Sequence, residues 1–432
     1  MVTHPADSQA VKRKRRQHHP GRSGIGGRGY LQRLGPGIVT GAADDDPSGI
    51  GTYSQVGAAT GFSMIWTAPF LLPLAFAVQE SCARLALVTG EGLAQIIRTR
   101  MSRWVLMVAV ALVVIANTVN IAADLGAMSA ALQLLVPVPQ LVGVIGFAAL
   151  ILAAEIWIPY HQYSKWLRWL CLSLLAYLAV TFVAGVDWSE VAAGLLPRID
   201  WSKDSLSMLI AVAGTTISPY LFFWQAAEEV ELRNADTRAT ANREHLSAMR
   251  VDVGAGMLSG VVTMAAIMIT SAATLHATGM TVVQTADQAA MALRPIAGDY
   301  AGVLFLLGIL GTGLLSVPVL AAASSYAVAE TFGWSESLEK KPNRAKAFYA
   351  VIAVSIVLGT ALNLIGINPM QFLFLAAVLN GLAAPVLMGI VWWLARDARL
   401  LGQWRSPWWS SLLLGIATLG MVVLPLLWFF AP

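Results

Sequence analysis

The chain has 432 residues, of which 57% are hydrophobic and only 12% charged, with a formal net charge of +4. Soluble domains carry roughly 25% charged residues, so this composition excludes an ordinary soluble domain and indicates a membrane protein. The basic residues sit in loops and at the N-terminus, which argues against nucleic acid as a partner. Cys82 and Cys171 both fall in apolar segments and give neither a disulfide framework nor a metal-cluster spacing.

Residues 1–33 are polar, basic and glycine-rich, and lack the apolar core and cleavage site of a signal peptide. They are expected to form a disordered cytoplasmic tail, with contact to anionic lipid headgroups as a second reading. Residues 34–432 read as a single transmembrane domain. A helix needs about 20 mostly apolar residues to cross the hydrocarbon. Eleven segments qualify: 36–60, 63–88, 104–135, 140–158, 165–186, 205–230, 251–276, 299–332, 346–366, 369–395 and 408–430. The expected class is an all-α, multi-pass protein of the cytoplasmic membrane.

Lys and Arg in the loops set the orientation. With a cytoplasmic N-terminus, Lys12, Arg13, Lys14, Arg15, Arg16, Arg98, Arg100, Arg103, Arg233, Arg238, Arg243, Lys340, Lys341, Arg344, Lys346, Arg396 and Arg399 all fall on the cytoplasmic side. Only Arg198, Lys203 and Arg294 fall outside. Eleven spans then leave the C-terminus on the outer face.

The first span contains "GAADDDPSGIGT", residues 41–52. One aspartate at mid-bilayer costs roughly 2.5–3.5 kcal/mol on insertion scales. Asp44, Asp45 and Asp46 must therefore face the bundle interior or water. Aspartate is a favoured N-cap and proline a favoured first helical residue. Asp46-Pro47 thus predicts the end of one half-helix and the start of another. Span six repeats the device in "AGTTISPYLFFWQ", residues 213–225, with Ser218 as N-cap, Pro219 as first residue, and Thr215 and Thr216 available to freed backbone groups. Broken backbone at membrane depth is tolerated only when it is buried in protein or lines a cavity. Two breaks at corresponding positions point to a transporter built from inverted repeats, here about 36–186 and 205–395, with 408–430 as an extra helix.

Four segments, "LGPGIVTGAADDDPSG" (34–49), "CARLALVTGEGLAQIIR" (82–98), "IAADLGAMSAALQLL" (121–135) and "GTTISPYLFF" (214–223), resemble the first, second, third and sixth helices of the NRAMP-type divalent metal transporters. The resemblance runs through nearly the whole chain. It implies the LeuT-type 5+5 fold plus one helix, broken first and sixth helices, and alternating access. The chain departs from the family at the site. Where the family has Asp-Pro-Gly-Asn, this sequence has Asp46-Pro47-Ser48-Gly49. Where it has Met-Pro-His, this sequence has Ser218-Pro219-Tyr220. Where it has Asp-x-x-Glu, this sequence has Asp124 and Ala127.

Losing the thioether removes a soft ligand, and oxygen donors suit Mg²⁺ or Mn²⁺ better than softer ions. A phenol in place of imidazole stays protonated at neutral pH, so proton coupling is expected to be weak or to use Asp124, Glu228 or Glu229. The candidate substrate residues are Ala43, Asp44, Asp45, Asp46, Ser48, Gly49, Thr215, Ser218, Tyr220, Trp224, Gln225 and Asn380, with Asp46 and Ser218 as candidate metal ligands. The helix breaks lie at Pro47 and Pro219. Acids beside Tyr220 and Trp224 leave a second reading open, a small guanidinium-like organic cation held by carboxylates and aromatic faces.

Several residues have plainer readings. Glu228, Glu229 and Glu231 are expected at a solvated helix end, with an acidic vestibule as the alternative. Asn117 and Asn120 suit helix–helix hydrogen bonds as well as a polar pathway. Glu80 and Arg84, four apart, suit an ion pair on one helix face. His161, His245 and His276 are isolated. No nucleotide-binding loop, HExxH or nucleophile elbow is present, so an enzyme is not expected, and neither is a cofactor. A channel or a transport-inactive sensor on the same fold remains the alternative to a transporter. The expected partners are a small cationic substrate and membrane lipid. The oligomeric state stays open.

Overall fold

The computed structural model describes residues 37, 40–41, 44–158, 172–235, 241–338 and 342–431. The basic tail, Ala43, His161, Cys171, Arg238, Lys340 and Lys341 lie outside the described residues.

Among the described residues, the regular structure is entirely helical. The long helices are α1 (Pro47–Thr60), α2 (Thr67–Thr89), α3 (Arg103–Leu132), α4 (Gln140–Trp157), α5 (Leu175–Val183), α6 (Lys203–Thr216), α7 (Pro219–Ala235), α8 (Arg243–Thr274), α9 (Ala301–Phe332), α10 (Lys346–Leu362), α11 (Pro369–Arg396) and α12 (Trp408–Phe430). Taking α6 and α7 together as one stretch, nine of these segments are long and apolar enough to cross a membrane. The expected count was eleven. The first and fifth spans lie partly outside the described residues, and the α-helices α1 and α5 within their described parts have only 14 and 9 residues.

The helices fall into two groups. In one, α1 packs on α8, and α2 packs on α7 and α8. In the other, α3 packs on α4, α9 and α10. α11 touches both groups, against α6 and α3, and α12 packs on α11, α2 and α6. The pairs exchange under the repeat relation: α1 with α8 corresponds to α7 with α2. Likewise α3 with α11 corresponds to α9 with Leu172–Leu174 at the head of α5. This reciprocity is what an inverted 5+5 repeat produces.

Small residues bring the helices of the first group close enough to bury their polar groups. A methyl group on Gly41 would collide with the backbone of Gly256 on α8, and one on Gly256 would collide with Gly37. Gly37-x-x-x-Gly41 and Gly256-x-x-x-Gly260 therefore form a close crossing of the kind small residues permit in membranes. The Gly37 N–H also donates to Asp252 Oδ2 at 2.6 Å, which ties the first span to α8 by a polar bond as well.

α12 is fastened through a buried ionic knot. Glu80 on α2 is fully buried and pairs with Arg84, as the i,i+4 spacing predicts. It also accepts from Arg250 Nε at 3.0 Å and from Ser410 Oγ of α12 at 3.1 Å. Arg84 donates onward to the Trp404 carbonyl at 2.9 Å.

Candidate functional site

The first span breaks where the sequence predicts. Gly37, Thr40, Gly41 and Asp44 are helical, Asp45 bends, and Asp46 is extended at φ −71°, ψ 170° before α1 begins at Pro47. Asp46 caps α1: its Oδ1 accepts from the Gly49 N–H at 2.8 Å and from Ser48 Oγ at 2.6 Å. Both bonds use one carboxylate oxygen, so the cap leaves Oδ2 for another partner.

The sixth span breaks at Ile217 (φ −119°, ψ 60°), between α6 and α7. Ser218 does not act as the N-cap expected from its position. Its hydroxyl donates backward, to Gly214 O at 3.1 Å and Thr215 O at 2.8 Å. It satisfies carbonyls freed at the end of α6, which a helix terminus leaves without partners, rather than amides at the start of α7. Thr216 Oγ1 likewise donates to Val212 O at 2.7 Å.

The two breaks meet. Ser48 Oγ lies 3.3 Å from Thr215 Oγ1, and Tyr53 OH lies 2.9 Å from Thr216 Oγ1. Asp124 on α3 joins them. Its Oδ2 accepts from Ser316 Oγ of α9 at 2.8 Å, while its Oδ1 is buried with no hydrogen-bond partner. Asp124 and Asp46 are close enough to repel each other, and the Ser48 backbone N–H faces both carboxylates.

The three consecutive aspartates diverge. Asp45 turns to Thr263 of α8. Asp44 lies over Gly260 of α8, with its Oδ1 buried and unpartnered. Asp44, Asp45, Asp46 and Asp124 are all buried, and among the described residues no salt bridge reaches any of them. No set of three or more acidic, histidine or cysteine side chains converges as a preformed metal cage among those residues.

The other candidates spread along the first group. Tyr220 and Trp224 are fully buried on α7. Gln225 accepts from Thr40 Oγ1 at 2.5 Å and donates to Glu229 at 3.2 Å. Glu228 and Glu229 are only 8% and 3% exposed, so the expected solvated helix end is not what forms there. α2 and α9 pack along α7 and cover these two acids. Glu231 accepts from Tyr326 OH and the Leu338 N–H. Asn380 is paired with Asn120 across α3 and α11 at 2.9 Å, next to Gly381, which packs on Gly214 ahead of the sixth-span break. Asn117 donates to Leu320 O and Ser324 Oγ of α9, so both asparagines on α3 hold helices together.

One residue beside the break had no sequence signal. Met264 of α8 places its Sδ 3.6 Å from Thr216 Oγ1. A thioether thus stands next to the break although Ser218 occupies the motif position. Only the packing of α8 against α1, which brings the Met264 side chain to Thr216, reveals it. A separate cleft of about 480 Å³ lies at the C-terminal end of α1, and its lining includes Asp187, Glu190, Arg198 and His276. Bonds from the Ser189 hydroxyl and from the Ser189 and Glu190 N–H groups hold the Asp187 carboxyl below its usual value.

Paired broken helices in exchanged repeats, closing on buried carboxylates, define a secondary-transporter architecture. The solved manganese transporter of Eremococcus coleocola, in complex with an aromatic bis-isothiourea substituted compound, superimposes with a TM-score of 0.72 at 19% identity, covering 94% of this chain and 88% of that one. Mhp1, a nucleobase-cation-symport-1 family transporter, shares the fold with a TM-score of 0.59 at 14% identity, covering 91% and 90%. The fold is therefore the LeuT-type transporter fold. Residues 37–431 match the family described as natural resistance-associated macrophage protein-like, and the chain belongs to that family. Two of its relatives are the divalent metal cation transporters MntH of Caldanaerobacter subterraneus subsp. tengcongensis and of Agrobacterium fabrum. The first is 26% identical, covering 83% of each chain, and the second 28% identical, covering 88% of this chain and 82% of the relative. The chain is a multi-pass membrane protein of this family.

Proposed function

We propose that this protein is a secondary transporter that carries a divalent cation of hard character, Mg²⁺ or Mn²⁺, by alternating access. One observation carries the reading. Two buried carboxylates, Asp46 and Asp124, face each other where the two helix breaks meet, Asp44 and Asp45 are buried beside them toward α8, and no salt bridge among the described residues balances any of the four. Isolated buried charges are costly unless paired or coordinating a metal, so a cation is the natural complement. The relatives' identity as divalent metal cation transporters supports a metal.

Asp46 would offer Oδ2 and Asp124 its unpartnered Oδ1, with the Ser48 and Thr215 hydroxyls and the carbonyls freed at the breaks as neutral ligands. Mg²⁺ keeps several waters and takes one or two carboxylates, which fits a site without a three-acid cage. Ser218 contributes at most a neutral oxygen, since its proton is committed to carbonyls. Asp124, with its Oδ1 left unpartnered, is the residue placed to exchange a proton as the cation arrives.

The basic loops put the N-terminus in the cytoplasm. The cleft holding Asp187 and Glu190 then forms the outer mouth, and Glu228 and Glu229 line the inner exit. Each would raise the local cation concentration.

The test is uptake by purified protein in proteoliposomes, with Mn²⁺, Mg²⁺ and guanidinium offered separately and in competition. Saturable uptake of a divalent ion supports the proposal. Guanidinium uptake with no divalent movement at millimolar concentration would overturn it in favour of an organic cation, and large unsaturable flux would indicate a channel.

A further inference from the structure

A second cleft, of about 560 Å³, opens between the end of α11 and the start of α12, far along the chain from either helix break. Its walls include Trp392, Arg396, Arg405, Ser406, Trp408 and Ser411. Arg396 and Arg405 are both exposed, and neither pairs with an acid among the described residues. The Arg396 guanidinium rests over the Trp392 ring at 5.3 Å, which holds it at the cleft wall. The neighbouring acid, Asp397, does not neutralise the cleft. It faces Arg100 at 4.0 Å and accepts from the Arg399 N–H at 2.8 Å.

Two further observations point to an anion. Ser406 is 7% exposed, and its Oγ has no hydrogen-bond partner, as is true of Trp392 Nε1. Both groups can donate. In addition, α12 is 23 residues long and starts at Trp408 with no side-chain cap on Pro407. Its first backbone N–H groups are free of intrahelical partners, and Arg405, Ser406 and Trp408 of the cleft wall flank that end of the helix. Unpaired guanidinium groups, hydroxyl and indole donors, and a helix N-terminus are together the donor set that recognises phosphate.

We propose that this cleft binds a phosphate group, supplied by an anionic phospholipid headgroup. A lipid source fits the surroundings. Trp408 is 78% exposed, as an interfacial anchor would be, and the cleft lies between two membrane-spanning helices. The Arg100–Asp397 contact also places it at the end of the bundle that carries the basic α2–α3 loop, and basic pockets in such positions take anionic headgroups.

The experiment is native mass spectrometry of the purified full chain, titrated with phosphatidylglycerol, phosphatidylcholine or inorganic phosphate. The expected result is a phosphatidylglycerol adduct that phosphatidylcholine does not replace. The Arg396→Gln/Arg405→Gln double variant should weaken it about twenty-five-fold, from about fivefold for each arginine near an anionic surface. Arg399→Gln, an exposed arginine of the same loop outside the cleft, should leave it unchanged. Saturation by inorganic phosphate in lipid-free detergent, lost in the same double variant, would support the phosphate site and assign it a soluble source. Equal binding of phosphatidylglycerol and phosphatidylcholine, equal loss in Arg399→Gln, or full retention in the double variant would overturn the proposal.

Discussion

Ser48 Oγ and Thr215 Oγ1 stand 3.3 Å apart, one from each repeat, and join the two broken turns. Each hydroxyl follows from its own span's break, yet neither has a local reason to meet the other. The meeting depends on α1 packing against α6.

Asp46 serves both as cap and as proposed ligand, and two substitutions separate the roles. Asp46→Ala should abolish uptake while the protein still inserts, and losing the cap should cost about 1 kcal/mol of stability. Asp46→Asn keeps an oxygen for the Gly49 N–H, so its thermal stability should stay near the parent while uptake falls. Proteoliposome uptake and a melting curve read both, and full uptake by either variant would show that the carboxylate is only a cap.

The Gly41–Gly256 crossing leaves no space for a side chain. Gly256→Ala should destabilise the protein by about 1–3 kcal/mol, the usual range for overpacking. Gly146→Ala on α4, where a methyl would meet nothing within 4 Å, should be neutral or stabilising. Melting temperatures of the two variants should therefore move in opposite directions, or only the first should move.

Glu80 is the sole acid in its knot and neutralises Arg84, whose side chain is 3% exposed. Glu80→Gln should cost roughly 3–5 kcal/mol, because it leaves a buried charge without its partner. Arg250, with a side chain 37% exposed, should tolerate Gln at a cost near the surface-pair range of about 0–1 kcal/mol. Chemical denaturation of both proteins checks the ranking.

Selectivity should follow the oxygen donors. The parent protein is expected to show no large preference for Cd²⁺ over Mg²⁺ in a competition assay. Ser218→Met, which adds a thioether beside the break, should shift competition toward Cd²⁺. Met264→Leu should leave the parent's selectivity unchanged. If it instead lowers Cd²⁺ competition, the thioether near Thr216 takes part in binding and the wholly oxygen site is wrong.

The sequence by itself determined the membrane class and the place of both breaks. Composition forces burial in lipid, and Asp46-Pro47 and Ser218-Pro219 end one helix and begin another through local backbone chemistry alone. It also determined the Glu80–Arg84 pair, because four residues make one helical turn. It could not determine where Asp44, Asp45 and Asp46 point. Around an extended residue, helical periodicity no longer assigns faces. Only α8, held close by Gly256 and Gly260, decides that Asp45 meets Thr263 and Asp44 lies over a glycine. Nor could it place Asn380 against Asn120, bury Glu228 and Glu229, or bring Met264 beside Thr216. Each of these depends on a helix remote in the chain, and no spacing along one segment encodes which neighbour will cover its polar face.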